Sequence, residues 1–82
     1  MNDTVHLTAS YAALTEAFVM RRDAEAKELL AAYGARPRGA WTDNVPEIPR
    51  RYLMWELSQN RGERAAAELE GMGFATELRV LA

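Results

Sequence analysis

No cysteine occurs in the 82 residues of this chain, so no disulfide can staple the fold and apolar burial has to hold it alone. A chain of this length buries only roughly 60% of the surface its unfolded form exposes. That is enough for one hydrophobic core, and residues 1–82 read as a single domain with no separable linker. Apolar residues make up 49% and charged residues of both signs 27%, the balance of a folded chain rather than a disordered one. The net charge of -2 argues against nucleic acid as a bulk electrostatic target. No apolar run approaches the ~18 residues that mark a membrane span. Met1-Asn2-Asp3-Thr4 has neither the basic start nor the greasy middle of a signal peptide. A cytoplasmic protein with no membrane attachment is expected.

Periodicity along the chain predicts its elements. Thr4–Thr8 alternates polar and apolar, which suits a short strand with Val5 and Leu7 turned inward. Ser10 fits a helix N-cap, and helical composition then runs from Tyr11 to Tyr33 and stops at Gly34. Tyr11, Leu14, Phe18, Leu29 and Tyr33 share one face of that helix, although Arg22 and Glu25 interrupt it. With no Gly or Pro between Phe18 and Leu30, one long helix is favoured over two that meet at Asp23.

Residues 34–49 concentrate Gly34, Pro37, Gly39, Pro46 and Pro49 and read as a long Gly/Pro loop, anchored by Trp41 with help from Val45 and Ile48. A helix starting near Glu47 or Pro49 and ending at Gly62 would carry Tyr52, Leu53, Met54, Trp55 and Leu57, an apolar surface wide enough to need neighbours on two sides. After a turn at Asn60-Arg61-Gly62, a third helix spans Glu63 to Met72 and stops at Gly73. Phe74–Leu81 alternates as a closing strand, with Phe74, Thr76, Leu78 and Val80 on one face and Glu77 and Arg79 on the other. The expected fold class is α+β: a short N-terminal strand, a long helix, a loop, two shorter helices and a C-terminal strand. Both strands are then sheet edges, and either one is open to pairing with a sheet edge in a second copy of the chain or in a different partner.

The materials for catalysis are scarce. His6 is the only imidazole, with Asp3 the nearest carboxylate in sequence, and one His without Cys cannot furnish a zinc site. Glu25 with Glu28, Glu56 with Glu63, and Glu68 with Glu70 do not follow a divalent-ion spacing and read as solvated surface. Ser10 and Ser58 have no activating partner, and Gly34-Ala35-Arg36-Pro37-Arg38-Gly39 lacks the glycine spacing and the following Lys of a phosphate loop. Neither an enzyme nor a metal or cofactor protein is expected.

The pattern that points outward is a mixture of guanidinium groups and rings. Arg36, Arg38, Arg50 and Arg51 bracket Trp41, with Tyr52 and Trp55 just beyond, and this combination suits a protein surface rich in carboxylates or a nucleic-acid backbone. A helix-turn-helix made from residues 47–72 fails as a DNA reader because its second helix carries Glu63, Glu68 and Glu70 and offers only Arg64. The favoured expectation is a small protein-binding regulator, inhibitor or accessory subunit that grips its partner through Arg36, Arg38, Trp41, Arg50, Arg51, Tyr52 and Trp55. A nucleic-acid-associated protein using the same arginines is the alternative.

Overall fold

The computed structural model describes residues 3–44 and 47–81. Its elements are β1 (Thr4–Ala12), α1 (Glu16–Ala32), β2 (Arg36–Asp43), β3 (Arg50–Ser58), α2 (Gln59–Gly71) and β4 (Ala75–Val80). The strands form one antiparallel sheet in the order β2-β3-β1-β4. The βαββαβ connection with two central strands contributed by β1 and β3 is the ferredoxin-like, split βαβ arrangement. Among the described residues, no helix is long and apolar enough to cross a membrane.

This corrects the expected α+β layout of three helices and two strands: the described chain holds two helices and four strands. β1 does not give way to a helix at Ser10. It continues to Ala12 with Ala9 and Tyr11 following Val5 and Leu7 into the core, and Ser10 is a strand residue whose hydroxyl accepts from Arg50 Nε at 3.1 Å. The true cap is Thr15, whose hydroxyl accepts from the Phe18 amide at 3.1 Å. From there α1 runs unbroken through Asp23.

The segment read as a loop contains β2, in which a bulge between Pro37 and Gly39 absorbs both breakers. Val45, expected to help anchor Trp41, lies outside the described residues, as does Pro46. Most consequentially, the helix expected from Glu47 or Pro49 to Gly62 is β3 over Arg50–Ser58, and its last residues already belong to α2. Tyr52, Leu53, Met54 and Trp55 are consecutive and apolar, so they satisfy a helical and a two-residue period alike, and pairing with strands on both sides selects the latter.

Both helices cover the same sheet face. Val5, Leu7, Ala9 and Tyr11 of β1 and Leu53, Trp55 and Leu57 of β3 meet Ala26 and Leu30 of α1 and Ala65, Ala66 and Leu69 of α2, and Phe74 closes the cluster. Each helix ends as its glycine implied: Gly34 and Gly73 follow the helices with φ of 68° and 95°. Gly62 plays a different part from the helix stop expected of it. It is buried within α2, where a Cβ would stand 2.7 Å from Val5 Cγ2 and 3.2 Å from Leu78 Cδ2. The glycine lets the first turn of α2 lie against the sheet.

Gly62→Ala therefore trades a helix-propensity gain of about 1 kcal/mol against a clash with a stiff β-branched core side chain. A net loss of roughly 1–2 kcal/mol is expected from overpacking, read as a lower urea midpoint. A midpoint above wild type would show that α2 can ride off the sheet freely.

Candidate functional site: the open face of the sheet

Because both helices lie on one side, the alternate residues of every strand face away from them. On β3 these are Arg50, Tyr52, Met54, Glu56 and Ser58, and on β1 they are Thr4, His6, Thr8, Ser10 and Ala12. Register places Trp41 directly opposite Tyr52, and Gly39 opposite Met54. The Trp41 and Tyr52 rings stack with centroids 5.3 Å apart and planes 9° from parallel. Trp41 also leans along its own strand over Gly39, where a Cβ would lie 3.8 Å from the indole, so the ring shields the backbone that the bulge leaves bare. Even so, Trp41 remains 41% exposed.

The polar groups around this stack divide into paired and free. Glu56 accepts from His6 Nε2 at 3.2 Å and has Arg38 Nε at 3.9 Å. Arg50 donates to Ser10. The Arg36 side chain, opposite Glu56 in the register and exposed, has no hydrogen bond or ion pair among the described residues. The β2–β3 half of the face thus carries Arg36, Arg38 and Arg50 against Glu56 and Asp43, the latter opposite Arg50, so the patch is aromatic with a slight excess of positive charge in a chain of net negative charge. His6 stands opposite Glu56 across the β1–β3 ladder, not beside Asp3. Among the described residues, no three His, Cys, Asp or Glu side chains gather to hold a metal ion.

Five of the seven residues expected to form an interaction surface share this face: Arg36, Arg38, Trp41, Arg50 and Tyr52. The other two point the opposite way. Trp55 is 4% exposed in the core. Arg51 reaches under α1, where its Nε and Nη2 donate to Asp23 Oδ2 at 3.1 and 3.0 Å and its Nη1 donates to Thr42 at 3.3 Å. Tyr11 completes this network by donating its hydroxyl to Asp23 Oδ1 at 2.5 Å. Burial, followed by the Asp23 contact, holds the Tyr11 phenol well above the usual tyrosine range. The charges that interrupt the apolar face of α1 are explained in the same way. Asp23 is answered from β1 and β3, and Arg22 lies over the Phe74 ring at 4.2 Å while donating to Glu25 and to the Met72 carbonyl at the end of α2.

Met54, Glu56 and His6 belong to the face without having been expected there. The signal that finds the first two is the alternation Arg50, Tyr52, Met54, Glu56, Ser58, which is visible once residues 50–58 are read with a period of two.

No family model matches the chain, and no curated protein does. Several solved structures resemble it in shape. A de novo designed protein, Foldit4, aligns over 100% of this chain and 98% of its own with a TM-score of 0.66 and 11% identity. The C-terminal domain of the MgtC protein from Mycobacterium tuberculosis covers 98% of this chain and 88% of its own, with a TM-score of 0.56 and 15% identity. The regulatory subunit of aspartate kinase from Thermus thermophilus covers 96% of this chain but only 52% of its own, with a TM-score of 0.57 and 17% identity. At such identities the likeness is one of fold, and a fold shared by designs and by natural domains assigns no activity.

Proposed function

We propose that this chain is a non-enzymatic docking module, a regulator or accessory subunit that holds a protein partner against the open face of its sheet. The observation that carries this reading is the Trp41–Tyr52 stack, left exposed on a face that no helix covers, with the exposed Arg36 further along the same face opposite Glu56. Large rings beside arginine are the composition of interface hot spots. The surrounding arginines favour a partner segment carrying carboxylates, which a planar guanidinium binds through two parallel hydrogen bonds.

A single-stranded nucleic acid is the second reading, favoured by the use of uncovered four-stranded sheets of this kind to stack bases on aromatic side chains. It is the weaker of the two. The Trp41 and Tyr52 rings each spend a face on the other, which leaves fewer platforms for bases, and the net charge is negative.

The test is affinity capture from native extract with wild type, Trp41→Ala, Arg36→Ala and Arg64→Ala, the last lying on the exposed surface of α2. Trp41→Ala should weaken capture by about 30-fold, as a hot-spot ring does, while Arg64→Ala changes nothing. Capture should survive nuclease and raised salt. Loss on nuclease treatment would transfer the face to nucleic acid, and equal capture by all four proteins would remove it from function.

A further inference from the structure

The two edges of the sheet are unlike. β2 carries Pro37, which has no N–H, and a bulge beside it, both devices that keep an edge from pairing. β4 has neither: its register with β1 is continuous from Ala75 to Val80. On its helix side, Leu78 and Val80 remain 36% and 51% exposed. Strand β1 is central, so the expectation that the Val5–Leu7 strand could also serve as an edge is closed by its pairing with both β3 and β4.

The hydrogen-bonding parity of β4 follows from one bond. The Leu81 amide donates to the Thr4 carbonyl at 3.0 Å, and main-chain groups alternate sides along a strand. Residues 79, 77 and 75 therefore also turn their N–H and C=O groups toward β1, while those of Thr76, Leu78 and Val80 point to the outer edge. We infer that this edge pairs, antiparallel and about a two-fold axis through Leu78, with the same strand of a second copy of the chain.

The side chains select that register. With Leu78 opposite Leu78, the outward groups of Thr76 meet those of Val80 from the other copy, and three residue pairs exchange six main-chain hydrogen bonds. On the open face Glu77 stands opposite Arg79 and Arg79 opposite Glu77, so both cross-strand pairs are attractive. Moving the axis to Glu77 or to Arg79 sets like charge against like. Among the described residues neither the Glu77 nor the Arg79 side chain has a hydrogen bond or ion pair within the chain, so both are free to make these contacts. On the helix side Leu78 meets Leu78, and Val80 is covered by Thr76. The product is a closed pair sharing an eight-stranded sheet, β2-β3-β1-β4 continued by its mirror order.

An interface built on one strand is small, so the pairing should be weak and concentration-dependent. Sedimentation equilibrium from about 10 μM to about 1 mM brackets that range. Wild type should pass from monomer toward dimer. Glu77→Arg and Arg79→Glu should each weaken self-association by about tenfold or more, because each turns two attractive pairs into two repulsive ones. Mixed in equal amounts, the two variants should regain a dimer, since Glu77→Arg of one copy then faces Arg79→Glu of the other across one pair, and the unchanged Arg79 of the first faces the unchanged Glu77 of the second across the other.

 In that mixed pair both cross-strand contacts again set Arg against Glu. Circular dichroism should report an unchanged fold for both variants. Trp41→Ala should dimerise as wild type does, which separates this outcome from the open-face reading. A wild type that stays monomeric throughout, single variants that associate as wild type does, or a mixture that fails to recover would each overturn the inference.

Discussion

Replacing Trp55 with Ala should cost about 3–5 kcal/mol of folding stability, the range for emptying a buried aromatic site. Replacing Trp41 should cost no more than about 1 kcal/mol, the worth of a cross-strand ring pair. The two tryptophans sit on adjacent antiparallel strands but on opposite faces: Trp55 pairs with Leu7 and packs under the helices, and Trp41 stacks on Tyr52 in the open. Against a total of about 5–15 kcal/mol for a small domain, the first substitution takes a large share of the margin and the second very little. Urea denaturation followed by circular dichroism measures both. Similar losses would mean that the Trp41 ring supports the core, and its assignment to an interface would fall. The contrast also guards the binding experiment, because a Trp55 variant that fails to capture a partner has most simply failed to fold.

The second large effect is expected at Asp23. This carboxylate is 8% exposed and holds Arg51 through two hydrogen bonds and Tyr11 through one. Asp23→Ala would leave the Arg51 guanidinium under α1 with only Thr42, while Tyr11 could turn to the Val19 carbonyl, 3.0 Å away. A loss of about 3 kcal/mol follows from stranding a largely buried charge. Removing both charges together, as Asp23→Leu with Arg51→Met, should recover most of it, since the desolvation penalty of the pair disappears with the pair. A double variant no better than Asp23→Ala would show that the bridge itself, rather than the orphaned guanidinium, sets the cost.

The same network fixes an alkaline limit. Tyr11 holds its proton more tightly in the folded than in the unfolded chain, so its contribution is complete below the unfolded tyrosine value of about 10. It is lost as pH rises from there toward the folded value. Stability should fall with pH above about 10, and Tyr11→Phe should flatten that part of the profile.

Why residues 50–58 escape a strand reading while 74–81 do not is a matter of contrast. Thr76, Glu77, Leu78, Arg79 and Val80 alternate between β-branched or apolar and charged, and only a two-residue period accommodates them. In Arg50–Ser58 the outward positions hold Tyr52 and Met54, as apolar as the inward Leu53 and Trp55, so the local signal that separates strand from helix is missing. The apolar outward residues that blur the period are the same ones that make the open face a candidate site. Nearness in sequence groups Arg51 and Trp55 with that site, and alternation across the strand sends them to the other side. In α1, Asp23 reads as a candidate meeting point of two helices because its partners, Tyr11 and Arg51, come from strands 12 and 28 residues away.

Composition, helix stops and local alternation are sufficient for the body and the end of the first helix, though not for its start, for a closing strand within residues 74–81, for the glycine turns at 34 and 73, and for the mixture of rings and arginines. These depend on neighbours within a few residues, where backbone sterics and short-range period act. The four-stranded sheet, the division of Trp41 from Trp55, the close seat of Gly62 on Val5 and the single unprotected edge at β4 all depend on which strands lie side by side. That choice is made by burying one face of every strand under two helices at once, a condition that no segment of the chain can meet alone.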